Sequence, residues 1–566
     1  MTDENKNNIT IDLDKNCTQC GEPGVTESGL CLKCVGIAAM DSIPDIRRQV
    51  QERVQKEAEQ QPPKEEKQEI DSAFIGKCLF SNSSGDGLLY ATLFRDKFLY
   101  VKNIQEWFEW TGHRWQRDKM NRSMAAVEKV AEVYLEEYKK ISGQIVEKTK
   151  AGESESEIEK LSKKQKAILE RVRQLRGDNR RTACLKFAHT IDKPLAITGD
   201  EFDQKPTLFP FANGVLDMET GKFKEGRPGD YLSLGSPVEW KGIDEPCPLW
   251  EKTLREIYNC DREGDDQSLI KFMQRLLGYA ASGKVSEKVF PVFYGKTGWN
   301  GRSLLIERVK YVMGDLAAPI PSELLLSQRF AKSSSGPSPD IMILKGKRMV
   351  FASEIDEGQR FSIAKIKWIT GKNELTARNP NDKYFTNFDP THTVFVETNI
   401  QPSAPADDKS FWERLLLIPH NISFVNRDPR ESHERRANLN LDKELEKENS
   451  GIAAWLERGF LMWQRDGLNP PAVVTEATAK YRMDEDMLGD WIEECCVRDP
   501  LAKEKAADLF HSFVEWYHTN QGKGDKLTGT WFGKQLGKKF EKTKSNGCNV
   551  YIGISLKKGG LETINV

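Results

Sequence analysis

The chain has 566 residues, too many for one hydrophobic core, so roughly three to four domains are expected. Its 38% apolar and 30% charged content is a soluble profile, and no run approaches the roughly 18 apolar residues of a membrane helix, so no membrane partner is expected. The net charge of −2 excludes a uniformly basic surface and leaves room for local phosphate-binding patches.

The start, M-T-D-E-N-K-N-N, is polar and acidic, unlike a signal peptide, and points to the cytoplasm. The 11 cysteines, an odd count without a secretion signal, speak against a disulfide framework. Cys17-x-x-Cys20 and Cys31-x-x-Cys34 form two pairs whose spacing suits four thiolates around a tetrahedral Zn2+. With all four ligands from protein, the metal would fold a small segment, a zinc ribbon over residues 1–37, without implying catalysis. Residues 38–75 are charged, Gln-rich and contain Pro62-Pro63, which reads as a linker.

Residues 76–250 read as an α/β domain. Tyr90, Phe94, Phe98, Tyr100, Trp107, Trp110, His113 and Trp115 cluster in a stretch that turns at Thr111-Gly112 as a hairpin. With Lys102 and Arg114 such rings can stack bases, although core packing is their commoner use. A charged helical hairpin spans about 125–176 and breaks at Gly152-Glu153-Ser154. F-A-N-G-V-L-D-M-E-T-G-K-F, residues 211–223, is a β-hairpin by pattern, and 249–277 is expected as one helical stretch.

Residues 251–430 hold the stretch around which the chain is organised. Val289 to Phe293 is strand-like, then Tyr294 to Ser303 reads Y-G-K-T-G-W-N-G-R-S, then apolar residues recur at helical spacing. Strand, glycine loop, helix is the setting in which a phosphate loop works, with Gly298 and Gly301 freeing backbone N–H groups to face an anion. The candidate nucleotide-binding residues are Gly295, Lys296, Thr297, Gly298, Trp299, Asn300, Gly301, Arg302 and Ser303, the last placed to ligate Mg2+. Five residues, not four, separate Gly295 from Gly301, and Arg302 stands where lysine is usual. Pro291 is awkward in a central strand, and a glycine-rich turn in some other α/β domain is the alternative.

Three further pieces follow. Lys347 to Glu354 is a strand ending in acid, with Asp356 and Glu357 beyond, and such carboxylates hold metal or polarise water. Thr393 to Asn399 is a strand whose terminal Asn399 can orient a water. Arg414 precedes the apolar strand Leu415 to Pro419 and can reach a neighbouring subunit's phosphate. Between the first two, 375–385 reads as a hairpin with a polar turn, where Lys372, Arg378 and Lys383 can meet nucleic-acid phosphates. After a helical lid or connector at 431–486, residues 487–566 read as three helices and a hairpin. Lys534, Lys538 and Lys539 belong to its lysine-rich, DNA-facing candidate surface.

These pieces together resemble the phage and plasmid primase–helicase family, relatives of the poxvirus primase–helicase. The likeness runs from about Leu88 to Lys558 and includes N-G-V-L-D at 213–217, G-W-N-G-R-S at 298–303 and P-S-P-D at 337–340. It continues through K-G-K-R-M-V-F-A-S-E-I-D-E-G at 345–358, I-T-G-K-N-E-L-T-A-R-N at 369–379, E-T-N-I-Q-P at 397–402 and F-W-E-R-L-L-L-I-P at 411–419. The resemblance implies an α/β fold: a P-loop, AAA+-like superfamily 3 helicase core, preceded by the zinc ribbon and an α+β domain and followed by a winged helix. It implies ATP in the loop as Walker A, Glu354 with Asp356 or Glu357 as Walker B, Asn399 as sensor 1 and Arg414 as arginine finger. It implies a homo-oligomer, a hexameric ring, whose 375–385 hairpins track single-stranded DNA. Origin DNA and a primase or polymerase would be further partners, in a bacterial cell hosting a phage or mobile element. No primase catalytic domain is discernible before Leu88. The competing expectation is an ATP-binding DNA initiator or regulator, its motor weakened by Arg302.

Overall fold

The computed structural model describes residues 12–16, 23–25, 68–262, 264–328, 336–356, 358–380, 382–520, 528–545 and 548–557. They divide into two compact units, Met1–Phe80 and Ser81–Val566. In the first unit, β1 (Asp12–Asn16) pairs antiparallel with β2 (Pro23–Val25), and α1 is Ser72–Phe80. Asp71 starts that helix by accepting the Phe74 N–H at 2.7 Å. Cys17, Cys20, Cys31 and Cys34 lie outside the described residues.

The second unit begins with α2 (Asn82–Leu93) and a strand meander, β3 (Phe98–Val101), β4 (Glu106–Trp110) and β5 (Trp115–Arg117). The expected turn at Thr111-Gly112 joins β4 to β5, and Gly112 takes φ 100° there. Tyr90, Phe98 and Trp115 are buried in the core, while Phe94, Tyr100, Trp107, Trp110 and His113 are half-buried. The charged helical hairpin is also present. Helix α3 (Val127–Ala151) buries Val127, Val130, Ala131, Tyr134 and Ile141 on one stripe, and Gly152 ends it with φ 71°. Helix α4 (Glu155–Leu175) returns along it with Glu155 and Glu157 in its first turn, where the helix dipole favours acids.

Helix α5 (Asp178–Ala188) completes a four-helix group held by one buried carboxylate. Asp86 of α2 is 2.7 Å from Arg171 of α4 and 2.7 Å from Arg180 of α5, and it accepts the Tyr134 hydroxyl of α3 at 3.0 Å. A buried acid so surrounded loses hydration but keeps hydrogen bonds, and it sets the helices' mutual register. Strand β6 (Ala196–Ile197) then joins β3 in parallel, and β7 (Leu208–Phe211), β8 (Gly214–Asp217) and β9 (Lys222–Lys224) form the second meander.

The expected helix over 249–277 is two helices, α6 (Pro248–Ile257) and α7 (Ser268–Ala281). The apolar periodicity crosses the break, but 258–267 is polar and carries the left-handed residues Asn259 and Gly264. Helix α7 packs so closely on α10 (Asn449–Asp466) that a Cβ on Gly278 would lie 2.2 Å from the Phe460 nitrogen.

Next comes β10 (Phe290–Tyr294), the loop, and α8 (Arg302–Met313). Strands β11 (Ala317–Ile320), β12 (Met349–Ala352), β15 (Thr393–Thr398) and β16 (Leu415–Pro419) join β10 in one parallel sheet, ordered β11-β12-β15-β10-β16. Both faces are covered, as a parallel sheet requires. Phe293, Phe351 and Phe395 pack under α7, α8 and α10, and Val292, Val350, Val394 and Val396 pack on the other face. Pro291 is tolerated because Phe290 N–H already bonds Arg414 O at 2.7 Å, on the β16 side. Its own missing donor faces β15, whose ladder with β10 starts only at Val292.

Inserted before β15 are α9 (Ile363–Ile369) and the hairpin β13 (Leu375–Ala377) and β14 (Thr386–Phe388). After the sheet, β17 (Ser423–Val425) pairs with β18 (Glu434–Arg436), and α11 (Ala472–Asp484) packs against β16. The C-terminal region has its own core of Leu488, Trp491, Leu509, Phe513, Phe532, Leu536 and Tyr551. Its order is α12 (Met487–Cys495), β19 (Cys496–Val497), β20 (Lys503–Lys505), α13 (Ala506–Asn520), α14 (Gly529–Lys539), β21 (Lys542–Ser545), β22 (Cys548–Ile552) and β23 (Ser555–Leu556). The antiparallel sheet runs β20-β22-β21, and Thr528 caps α14 by accepting the Trp531 N–H at 3.2 Å.

Candidate functional site

Parallel strands present their C-terminal ends as the place where loops can meet a ligand. At that end of the sheet the residues from Gly295 to Ser303 leave β10 and enter α8. Two glycines are sterically required. A Cβ on Gly295 would stand 2.6 Å from His420 O, and one on Gly301 would stand 2.6 Å from Ile257 Cγ1 with φ at 80°. Gly298 has open space around it and no left-handed backbone. The second left-handed residue is Trp299, φ 59° and 76% exposed. The freedom expected of Gly298 is thus supplied at Trp299.

The loop is tied from behind. Asn300 Nδ2 donates to Thr297 O at 2.7 Å, and Phe424 N–H of β17 donates to Trp299 O at 2.7 Å. Arg302 is 5% exposed and points inward, not at solvent. Its guanidinium donates to Asn300 Oδ1 at 2.9 Å and Phe293 O at 3.2 Å, and also to Thr398 O and to the Asn399 side chain. Burial pulls the Arg302 pKa below its ordinary value, with Glu397 opposing. Behind it His420 is fully enclosed, and burial with the Arg302 charge pushes it down to about 3. Lys296, by contrast, is exposed at the start of the loop, with no ion pair among the described residues.

Ser303, in the first turn of α8, donates its hydroxyl to Glu397 Oε1 at 2.6 Å. Glu397 was not singled out from sequence, although strand alternation carries the signal. Phe395 faces α8, so Glu397 two residues on faces α8 as well. Glu354 and Asp356 are exposed beyond the end of β12, and Glu354 has φ 62°; Glu357 lies outside the described residues. Asn399 follows β15 at the same sheet end.

Arg414 lies elsewhere. It precedes β16 and pairs through its carbonyl with Phe290, so it sits at the opposite end of the sheet from its own loop. The five-residue span from Phe290 to Gly295 is roughly 16 Å at the usual strand rise. The structure therefore does not bring Arg414 to the loop within one chain. The 375–385 hairpin is a separate projection. Leu375, Ala377 and Phe388 root it in the core, while Lys383 is exposed, Tyr384 is 82% exposed and Phe385 is 50% exposed. Arg378 lies 5.5 Å from the Phe385 ring centroid, and Lys372 is exposed nearby in sequence. In the C-terminal region Lys534 is exposed, Lys539 pairs with Asp486 at 2.7 Å, and the Lys538 side chain lies outside the described residues.

Chemically, the loop end of the sheet can receive an anion: the N-terminus of α8 begins there, with exposed Lys296 earlier in the same loop. Ser303 and Glu397 are hard oxygen donors, which suits Mg2+ in the company of phosphates. A cleft of about 470 Å³ lined by Ile257, Tyr258, Leu269, Arg262, Asp265 and His433 lies beside the loop at Ile257, which packs against Gly301. Among the described residues no group of three or more His, Cys, Asp or Glu could hold a metal by itself, and no helix is long and apolar enough to cross a membrane.

Residues 88–259 match the family model described as D5 N terminal like. The chain is similar to a candidate helicase of Acanthamoeba polyphaga mimivirus, 28% identical over 75% of this chain and 44% of that protein. It is similar to the uncoating factor of Vaccinia virus, 23% identical over 44% of this chain and 33% of that protein. An apo structure of the NrS-1 C-terminal region aligns at 14% identity with a TM-score of 0.36, covering 58% of this chain and 80% of that one. The chain spans less than half the length of these two viral relatives. The resemblance drawn from the motifs, to the relatives of the poxvirus primase–helicase, thus holds, and the matched region begins at the same Leu88.

Proposed function

We propose that this chain is an ATP-dependent DNA helicase that serves replication of a virus, phage or mobile element. The observation that carries the proposal is the loop's position. A glycine loop leaves the C-terminal end of an inner strand of a five-stranded parallel sheet, with Glu397 and Asn399 at that end and Glu354 and Asp356 exposed beyond the same end of β12. That order, with β15 between the loop strand and the acid strand, fits the AAA+-like arrangement of superfamily 3 motors. Lys296 and the α8 N-terminus would hold the triphosphate, and the adjoining cleft is large enough for a base. Ser303 would meet Mg2+, which supplies charge neutralisation when bound. Glu354 would polarise a water that adds to the γ-phosphorus as the β–γ bridging bond breaks, releasing ADP and phosphate.

Arg414, remote from its own loop, would serve the loop of a neighbouring subunit, which is why a ring is proposed, hexameric by resemblance. The hairpin would meet single-stranded DNA through Arg378, Lys383 and the exposed ring of Tyr384. Three helices with the antiparallel sheet β20-β22-β21 at 487–552 support a winged helix, with Lys534 and Lys539 toward DNA. Cys17, Cys20, Cys31 and Cys34 would hold Zn2+. The relatives' viral origin supports a mobile-element role and favours no particular host.

One observation favours a second reading, an ATP-dependent DNA initiator without a full motor. Arg302 is spent on protein acceptors and not on the open side of the loop. Measuring DNA-stimulated ATP hydrolysis and strand displacement separates the two. The helicase reading requires displaced strand at catalytic turnover. Arg302→Lys and Lys296→Ala locate the phosphate charge, and a Lys296→Ala chain with full nucleotide affinity would remove Lys296 from that role.

A further inference from the structure

Glu397 is the carboxylate nearest the hydroxyl that a P-loop offers to metal, and it comes from an unexpected strand. The acid expected there lies beyond β12, two strands from β10. Met349 and Phe351 face α8, but β12 ends at Ala352, and Glu354 follows beyond the strand with a left-handed backbone, its side chain exposed and without a hydrogen bond among the described residues. Glu397 is on β15, hydrogen-bonded beside β10, with its register partner Phe293 one residue before the loop strand ends. It accepts the Ser303 hydroxyl at 2.6 Å and is 19% exposed, enough to reach a hydrated ion.

Arg302 explains why a carboxylate is tolerated there. Its Nε lies 4.0 Å from Glu397 Oε1, close enough to offset charge but bonded elsewhere. A bare triphosphate arriving at the loop would therefore meet Ser303 backed by a negative group that is only partly neutralised. Like charges at this range repel, and a divalent cation between them reverses the sign.

We propose that Glu397 is a cation-side ligand of the nucleotide site, bonding the Mg2+ or one of its waters from the Ser303 side, so that the metal dependence of nucleotide binding runs through Glu397. The proposal rests on the phosphate-loop reading. A purely structural role, in which Glu397 only complements the α8 dipole, would affect stability but not metal dependence.

The test uses the full chain and a fluorescent ATP analogue, titrated with Mg2+ and separately in EDTA. In Glu397→Gln the Mg2+ concentration for half-maximal binding should rise by on the order of 10-fold, as for loss of a group bonded to a metal's shell. Binding in EDTA should tighten, because a negative charge has gone. Ser303→Ala should shift the Mg2+ midpoint the same way, and Ser303→Ala with Glu397→Gln should shift it by less than the sum. Thermal melts confirm folding, and Glu397→Asp, which keeps the charge but withdraws it, replaces Glu397→Gln if that chain does not fold. A Glu397 variant that binds the analogue with the wild-type Mg2+ midpoint overturns the proposal and leaves the loop reading intact. Wild-type chain that binds no analogue, with or without Mg2+, overturns the loop reading itself.

Discussion

The two ends of the five-stranded sheet use polar residues differently: the N-terminal end buries Arg348 and His392 in a seam, whereas the C-terminal end buries Arg302 and His420 behind the loop and leaves a second set exposed. At the N-terminal end Arg348 precedes β12, His392 precedes β15 and Arg414 precedes β16. Arg348 is 3% exposed. It donates to Ala281 O at 2.8 Å and to Leu208 O, and its guanidinium lies 4.9 Å from the Phe209 ring centroid. Burial lowers its pKa to about 9, and burial lowers His392 to about 4 beside Ile369 O. That end is a seam where the β7–β8 meander attaches to the sheet. At the C-terminal end Lys296, Glu354 and Asn399 are exposed. Buried charge bonded to carbonyls builds the molecule, and exposed charge at strand ends is left for a ligand.

The contrast breaks first at Arg348. Arg348→Ala should cost about 2–4 kcal/mol in urea unfolding, since Leu208 O and Ala281 O would each lose a buried donor. A cost below about 1 kcal/mol would mean the seam is not structural. At the other end Glu354→Gln should change stability by less than about 0.5 kcal/mol and lower ATP turnover by about 100-fold or more. An unfolded Glu354→Gln chain would erase the distinction.

A pH profile sharpens it. His392 and His420 have folded pKa values below the usual 6.5, so the unfolded chain binds more protons in between. Stability is full above about 6.5 and falls as pH falls toward the folded values, by at most about 1.4 kcal/mol per pH unit per histidine. Glu457 of α10 has the opposite sign. Burial, with Asp217 nearby, raises it to about 8, so its stability contribution is full below about 4.5 and is lost as pH rises toward 8. Glu457→Gln should flatten the alkaline limb and leave the acid limb, as read from melting temperatures between pH 4 and 8. The smallest effects belong to the hairpin. Tyr384→Ala should weaken single-stranded DNA binding by about 1–3 kcal/mol, and Lys383→Ala should reduce the salt slope by about 1.

Much was legible in the chain. The glycine loop, the helical hairpin broken at Gly152 and the rooted hairpin at 375–385 follow from local pattern, because turn residues and periodicity act over a few neighbours. The apolar alternation of β15 also pointed Glu397 toward α8, though only a known partner in α8 turns that into a contact.

What the residues settled by themselves were elements and their faces, along with the loop's composition and the absence of lysine at 302. Tertiary structure alone decided strand order and the inward turn of Arg302. It also put Arg414 at the far end of the sheet and tied Glu397 to Ser303. The physical reason is range. Backbone preference and periodicity are local, whereas a guanidinium's direction depends on which carbonyls, here those of Phe293 and Thr398, the rest of the chain leaves in its reach.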